Sequence, residues 1–363
     1  MAVTVWFNEG FSSLYNVIMD IRDADAEGAF KVLCTHRNPG FLGLAATDIS
    51  AVEPAGITGA AYVDYCLQTC RRYEVGVFMP TRGAAEAADR YEEFAAIGTR
   101  VVVCGQSETL RMINNKAMLY AHLAPGIVNI PEYRLCCSYE DFDSAVAHLK
   151  PRHGGLCLKP SVSIHGIGFK VLRDDMSEVD YILSGDGSKV GIAQMRRALK
   201  DSPGFKELLV MQYLEGAERS VDCLADNGSL IRLVIRLKSR DLGYIQWIED
   251  NPEIEDTVRR LTRALGLNGI YNVQFKDGGN TSYLLEVNTR MSGGIIYSTL
   301  SGLNIPYWAL RLFGGLCSAS DIPHPRTGLK IAKIPAAVVI RRKKEGERLC
   351  PPLRPLPQGD QSP

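Results

Sequence analysis

Four residues in one short stretch have the types and spacing to manage a charged phosphate. They are Gln274, Glu286, Asn288 and Arg290, within GIYNVQFKDGGNTSYLLEVNTRMSGG at residues 269–294. Tyr271, Val273 and Phe275 alternate with Asn272, Gln274 and Lys276, and Tyr283, Leu285 and Val287 alternate with Leu284, Glu286 and Asn288. A period of two gives each strand one apolar and one mainly polar face. Asp277-Gly278-Gly279-Asn280 supplies residues that tolerate positive φ, so the whole reads as a hairpin. A register with Gln274 opposite Glu286 keeps the apolar faces together. It also gathers Gln274, Glu286 and Asn288 on the other side, within reach of one ion. Three oxygen donors with one charge suit Mg²⁺ or Mn²⁺ when phosphate oxygens supply the remaining coordination. Arg290 follows with the fork geometry that suits a phosphate or carboxylate. A hairpin whose polar face simply meets water fits the same alternation, although Glu and Asn are poor strand formers. Periodicity alone leaves both readings open.

Other cations and small residues lie upstream. Residues 155–159 form a short apolar strand pattern closed by Lys159-Pro160. A lysine ending a buried strand is poorly hydrated and best placed beside an anion. SVSIHGIG at 161–168, with Ser161, His165 and Gly166, is a small-residue loop whose backbone N–H groups can approach phosphate oxygens. No Gly-x-x-x-x-Gly-Lys-Ser/Thr occurs, which excludes a Walker-type site. Residues 208–214 read as a strand that runs through Gln212, Tyr213 and Leu214 into a turn before Glu218. A further strand over 229–237 ends in Lys238, Ser239 and Arg240, cations that fit either a ligand contact or a solvated strand end. Lys116 lies in a helix predicted over 107–124, where a lone lysine is ordinarily solvated.

Asn272-Val273-Gln274 followed by Leu285-Glu286-Val287-Asn288-Thr289-Arg290 resembles the metal-binding signature of the ATP-grasp superfamily, near its carbamoyl-phosphate synthetase and carboxylate–amine ligase branches. Thr289 stands where the family commonly has Pro, and the ligand positions are kept. The resemblance implies that Gln274, Glu286 and Asn288 hold Mg²⁺ and that Arg290 and Lys159 are catalytic. It implies ATP contacts from Lys116, Lys159, Ser161, His165 and Gly166. The hinge at Gln212, Tyr213 and Leu214 would read the adenine edge, and Glu218 would hold the ribose. Gln212 replaces the usual Glu. The flap loop has fewer glycines than the family pattern. The order of these motifs, over about residues 105–315, carries the resemblance. The implied activity is ligation of a small-molecule carboxylate to an amine through an acylphosphate, with ADP and phosphate released. A non-catalytic ATP sensor and a bicarbonate-activating, carboxyphosphate-forming enzyme are the alternatives.

The elements that must position these residues follow from the rest of the chain. Strand patterns at 3–7, 30–34, 75–79 and 101–103 alternate with helical ones at 64–73 and 84–97, which predicts a parallel sheet covered on both faces. The residues after the first strand, Asn8-Glu9-Gly10-Phe11-Ser12-Ser13, hold a single glycine, so a dinucleotide fingerprint is absent. His36, Arg37 and Asn38 follow the second strand and fit either a solvated loop or a ligand contact. A polar stretch at 173–206 reads as loop and helix, 252–265 as an amphipathic helix, 307–313 as helical and 331–340 as a last strand. The expected fold class is α/β, a Rossmann-like pre-ATP-grasp domain followed by a two-lobed ATP-grasp fold. Its expected parts are 1–105, a first lobe with the phosphate flap at 106–214, a second lobe with the metal hairpin at 215–343, and a disordered Pro-rich tail at 344–363.

The 363 residues carry 41 Lys+Arg against 41 Asp+Glu, so no global field draws in nucleic acid or acidic membranes. With 46% hydrophobic and 23% charged residues the composition is globular. Ten cysteines include no Cys-x-x-Cys pair, which argues against structural zinc and for reduced thiols in a cytoplasmic protein. The uncharged run at 291–310 is too interrupted by Gly, Ser, Asn and Pro to span a membrane. A homodimer is left open.

Overall fold

The structure, a computed structural model, describes residues 2–163, 166–183, 185–239 and 242–334. The expectations for His165, for Arg240 and for the tail from residue 344 lie outside these. Among the described residues no helix is long and apolar enough to cross a membrane.

Among the described residues three sheets form the frame. β1 (Val3–Asn8), β2 (Phe30–His36), β3 (Ile49–Val52), β4 (Val75–Pro80) and β5 (Arg100–Val101) make a wholly parallel sheet in the order β3-β2-β1-β4-β5. β3 lies outside the predicted set because only four residues pair. The helix Gly59–Tyr73 covers one face, and Leu14–Ala24 the other. The pattern expected at 84–97 is broken into two short helices, Ala84–Asp89 and Tyr91–Ala95.

β6 (Tyr133–Cys136), β7 (Leu156–Pro160), β8 (Lys170–Arg173), β9 (Lys189–Gly191) and β10 (Leu208–Gln212) form a mixed sheet in the order β6-β10-β7-β8-β9. The helices Tyr139–Leu149 and Ile192–Lys200 bury its outer face. The polar stretch expected as loop and helix is thus more regular, with β9 and two helices.

β11 (Glu218–Asp226), β12 (Ser229–Lys238), β13 (Ile245–Glu249), β14 (Gly269–Gly278), β15 (Thr281–Asn288) and β16 (Lys330–Ala332) form an antiparallel sheet in the order β15-β14-β11-β12-β13-β16. On one face Tyr271, Val273 and Phe275 pack with the helix Pro252–Ala264 in a core that reaches Leu209 and Met211 of β10. On the other, the helices Ile295–Leu300 and Ile305–Phe313 share a core with Val5 and Phe7 of β1. One continuous apolar layer therefore joins the parallel sheet to the six-stranded sheet.

Candidate functional site

The β14–β15 hairpin has the expected register at its polar end, with Gln274 opposite Glu286 and Asn272 opposite Asn288. Between Gln274 and Phe275 the register shifts, and Phe275 pairs with Leu284. Leu285 is therefore the extra residue of a bulge. This corrects the expected alternation: Leu284 is buried in the core, and Leu285 turns to the cavity wall. Bulges re-aim side chains in this way. Asn288 Nδ2 donates to Glu286 Oε1 at 3.0 Å.

Two lysines converge on this end. The helical pattern expected over 107–124 is interrupted at Asn115, whose extended backbone separates the helices Ser107–Asn114 and Lys116–His122. The Asn115 side chain accepts from the N–H groups of Ala117 and Met118, a cap that starts the second helix at Lys116. Lys116 Nζ lies 3.4 Å from Glu286 Oε2 and donates to the Ser163 carbonyl at 3.1 Å. Lys159, on β7, donates to the Leu285 carbonyl at 3.1 Å and to the Tyr120 hydroxyl at 3.2 Å. Burial pushes the Lys159 ammonium down to about 8, Lys116 adds repulsion, and Glu286 pulls the other way. Burial also lowers Arg290, against the attraction of Glu286. Arg290 donates to the Met291 carbonyl at 3.1 Å and has no carboxylate within 4.0 Å among the described residues.

A cavity of about 450 Å³ separates the mixed sheet from the six-stranded sheet and is lined by Lys116, Lys159, Gln212, Glu218, Gln274 and Glu286, among others. Tyr213, Leu214 and Gly166 also line it. The Tyr213 N–H donates to the Gly155 carbonyl at 2.9 Å. Among the described residues no hydrogen bond engages the Tyr213 carbonyl or the Leu214 N–H. Glu218 is held by Lys238, and Lys276 stands 3.8 Å from its other oxygen. Lys276, with Ser163 and Tyr120, escaped the sequence reading, and only the pairing of β11 with β12 and β14 brings it and Lys238 to Glu218.

Ser161 is placed elsewhere than expected. It is 2% exposed, its hydroxyl donates to the Glu207 carbonyl at 3.4 Å, and its own carbonyl accepts from the Lys116 N–H. Ser163 takes the cavity position instead.

Beneath the hairpin, β11 and β12 carry a buried ion pair. Arg236 donates to Asp222 at 2.8 Å and reaches Ser220, Gln246 and Ser292. A Cβ at Gly294 would overlap that guanidinium, so only glycine lets the chain after Arg290 pass this close.

Part of the chain resembles known proteins. Residues 204–347 match the family model described as ATP-grasp in the biosynthetic pathway with Ter operon. Within that stretch the chain is similar to ATP-grasp proteins. A carbamoyl phosphate synthase large chain from Saccharolobus islandicus is 26% identical over 192 residues, covering 47% of this chain and 18% of that one. The chain thus spans about a fifth of that relative's length. Among solved structures, the ADP complex of an N5-carboxyaminoimidazole ribonucleotide synthetase aligns with a TM-score of 0.64 at 14% identity, covering 91% of this chain and 80% of the other. An L-amino acid ligase from Bacillus licheniformis aligns at 0.61 and 16%, covering 88% and 76%. At these identities the likeness is one of fold. In this chain the hairpin, both lysines and the segment at Gln212, Tyr213 and Leu214 face one cavity, while Asn288 and Arg290 stand beyond its lining at the hairpin's end.

Proposed function

We propose that this chain is an ATP-dependent carboxylate–amine ligase. The observation that carries the reading is the meeting of two buried ammonium groups and the Glu286 carboxylate at one end of a cavity whose other end is the hinge at Tyr213 and Leu214. Two cations held 3.4 Å or less from protein oxygens in a cleft of low polarity suit a polyanion better than they suit each other. Adenine would lie against the Tyr213 carbonyl and the Leu214 N–H, with the ribose on Glu218 once Lys238 yields. The triphosphate would run toward Lys159 and Lys116.

Gln274, Glu286 and Asn288 fit a hard divalent cation: they share one face, cross-strand neighbours stand about 5 Å apart at Cβ, and Asn288 already touches Glu286. Bound there, Mg²⁺ or Mn²⁺ would neutralise charge on the β- and γ-phosphates. Lys116, released from Glu286, and Lys159 would offset charge on the other phosphate oxygens. Arg290 would meet the transferring phosphoryl group, since its half-buried guanidinium has no carboxylate partner among the described residues. The substrate carboxylate attacks the γ-phosphorus, the bond to ADP breaks, and an acylphosphate forms. An amine then attacks the acyl carbon and phosphate leaves. Phosphoryl transfer of this kind asks the protein for positioning and charge neutralisation. The loop at Ser163 and Gly166 would exclude water, which otherwise hydrolyses the acylphosphate.

Bicarbonate in place of an organic acid is the second reading, favoured by the similarity to the carbamoyl phosphate synthase large chain. An ADP-release screen with Mg²⁺ over amino acids, small carboxylates and bicarbonate, singly and in pairs, tests both. The ligase requires a carboxylate and an amine together. Release with bicarbonate alone selects the second reading. ATP binding with no ADP from any mixture contradicts both.

A further inference from the structure

Three elements meet at the Tyr120 hydroxyl. Tyr120 lies on the helix Lys116–His122, Lys159 on β7 of the mixed sheet, and Leu285 on β15, the edge strand of the six-stranded sheet. The hydroxyl donates to the Leu285 carbonyl at 2.7 Å, with the Leu284 carbonyl also within reach at 3.3 Å. It accepts from Lys159 Nζ at 3.2 Å, and Lys159 donates to the same Leu285 carbonyl at 3.1 Å. Ammonium, hydroxyl and carbonyl thus close a triangle at the lysine end of the cavity.

A regular strand does not turn two consecutive carbonyls to one hydroxyl, because successive carbonyls point to opposite sides. The bulge at Leu285 does so, and brings both toward Tyr120. Carbonyls turned out of a ladder need other donors. Here the donors are the protein's own, since Tyr120 and Lys159 are both buried. Burial, followed by the charge of Glu286, pushes the Tyr120 phenol up, so it remains a protonated donor. The Tyr133 ring packs against that of Tyr120, with centroids 5.3 Å apart and planes tilted by 57°, and fixes the direction of the hydroxyl. Glu286 is the residue directly after the carbonyl that Tyr120 holds. One hydroxyl on a packed ring therefore sets both the ammonium of one sheet and the carboxylate-bearing strand of the other. Packing alone asks for the ring and not for its oxygen, and a phenylalanine would fill the same space.

We infer that Tyr120 is a positioning residue whose hydroxyl ties Lys159 to the Leu285 bulge, so that the ammonium and the Glu286 carboxylate stand at a fixed separation before a phosphate arrives. An untied ammonium would be drawn onto Glu286, which Lys116 already approaches to 3.4 Å, and would block the face meant for a metal ion. Held on a backbone carbonyl and a neutral hydroxyl, Lys159 keeps its charge without spending it on that carboxylate. The inference takes from the ligase reading only that phosphates enter this cavity, and the tie on Lys159 stands without it.

Tyr120→Phe keeps the ring, and Lys159 still donates to the Leu285 carbonyl, so the variant should fold with the parental unfolding transition. Two measurements on the full chain test the inference. In the empty protein, acetylation of Lys159 by succinimidyl acetate, followed by mass spectrometry, should run about twofold to tenfold faster in the variant, the effect of one lost hydrogen bond. By calorimetry the variant should bind MgATP about twofold to tenfold more weakly, and adenosine as the parent does. In a Lys159→Met chain, adding Tyr120→Phe should cost MgATP affinity nothing further, because the group it acts through is gone. Tyr133→Phe, which keeps the ring pair, should move neither measurement. Unchanged acetylation of Lys159 in Tyr120→Phe overturns the inference. So does a loss of MgATP affinity that persists in the Lys159→Met background, or one that Tyr133→Phe reproduces. Faster acetylation in a chain that binds neither adenosine nor MgATP supports the tie and removes the nucleotide reading.

Discussion

Lys159 stands 8% exposed between a second ammonium and a carboxylate, and burial holds its own ammonium down to about 8. Below that pH the free protein already carries the charge that a triphosphate would meet, and nucleotide affinity should be flat on its account. Above it the protein must take up a proton to bind, so ATP affinity should fall by up to about tenfold per pH unit. Lys159→Met should bind ATP weakly throughout and lose this slope, as fluorescence titration across the range will show. The chemistry of Lys159 was legible in the sequence because a lysine closing an apolar strand has few ways to be hydrated. The choice between Ser161 and Ser163 was not. Two serines with one residue between them share strand parity, and only the bond from Ser161 to Glu207 of the next segment settles which one faces the cavity.

At the scale of elements, a cap and a bulge decide where the charges point. Asn115→Ala removes the acceptor that starts the helix at Lys116, and should lower stability by about 1 kcal/mol in denaturant unfolding while weakening ATP binding. Asn115 sits inside an unbroken helical pattern, which is why one long helix is expected from the sequence. The bulge at Leu285 was illegible for a related reason. Both Leu284 and Leu285 are apolar, so alternation continues whichever one enters the core. The buried Asp222–Arg236 pair holds Ser292 and the close passage at Gly294. Asp222→Ala leaves a guanidinium uncompensated in the interior, and should cost about 3–5 kcal/mol by thermal or chemical unfolding. Asp222 and Arg236 lie on adjacent strands, and nothing local in either segment announces their partnership.

Across the whole molecule, the cavity belongs to no single sheet. Lys159 and Gln212 come from the mixed sheet, Glu218, Gln274 and Glu286 from the antiparallel one, and Lys116 from the helix between. Mg²⁺ and nucleotide together should therefore slow amide exchange in residues 156–163, 208–218 and 274–286 at once, and protection of one segment alone would contradict a shared site. The parallel sheet and the order of motifs were legible because strand periodicity and glycine-rich turns are local signals. The continuous core that joins β1 to the helix Ile305–Phe313 was not, since it depends on contacts some 300 residues apart in the chain. The most direct test of the account is Mg²⁺-dependent ADP release by the full chain and by Glu286→Ala, with any substrate mixture that supports turnover. The variant should fold, with an unfolding transition close to that of the parent, and turn over ATP at least about a thousandfold more slowly, the loss expected for an essential electrostatic group. Equal turnover in the two proteins would mean that the hairpin carboxylate holds no metal for this reaction.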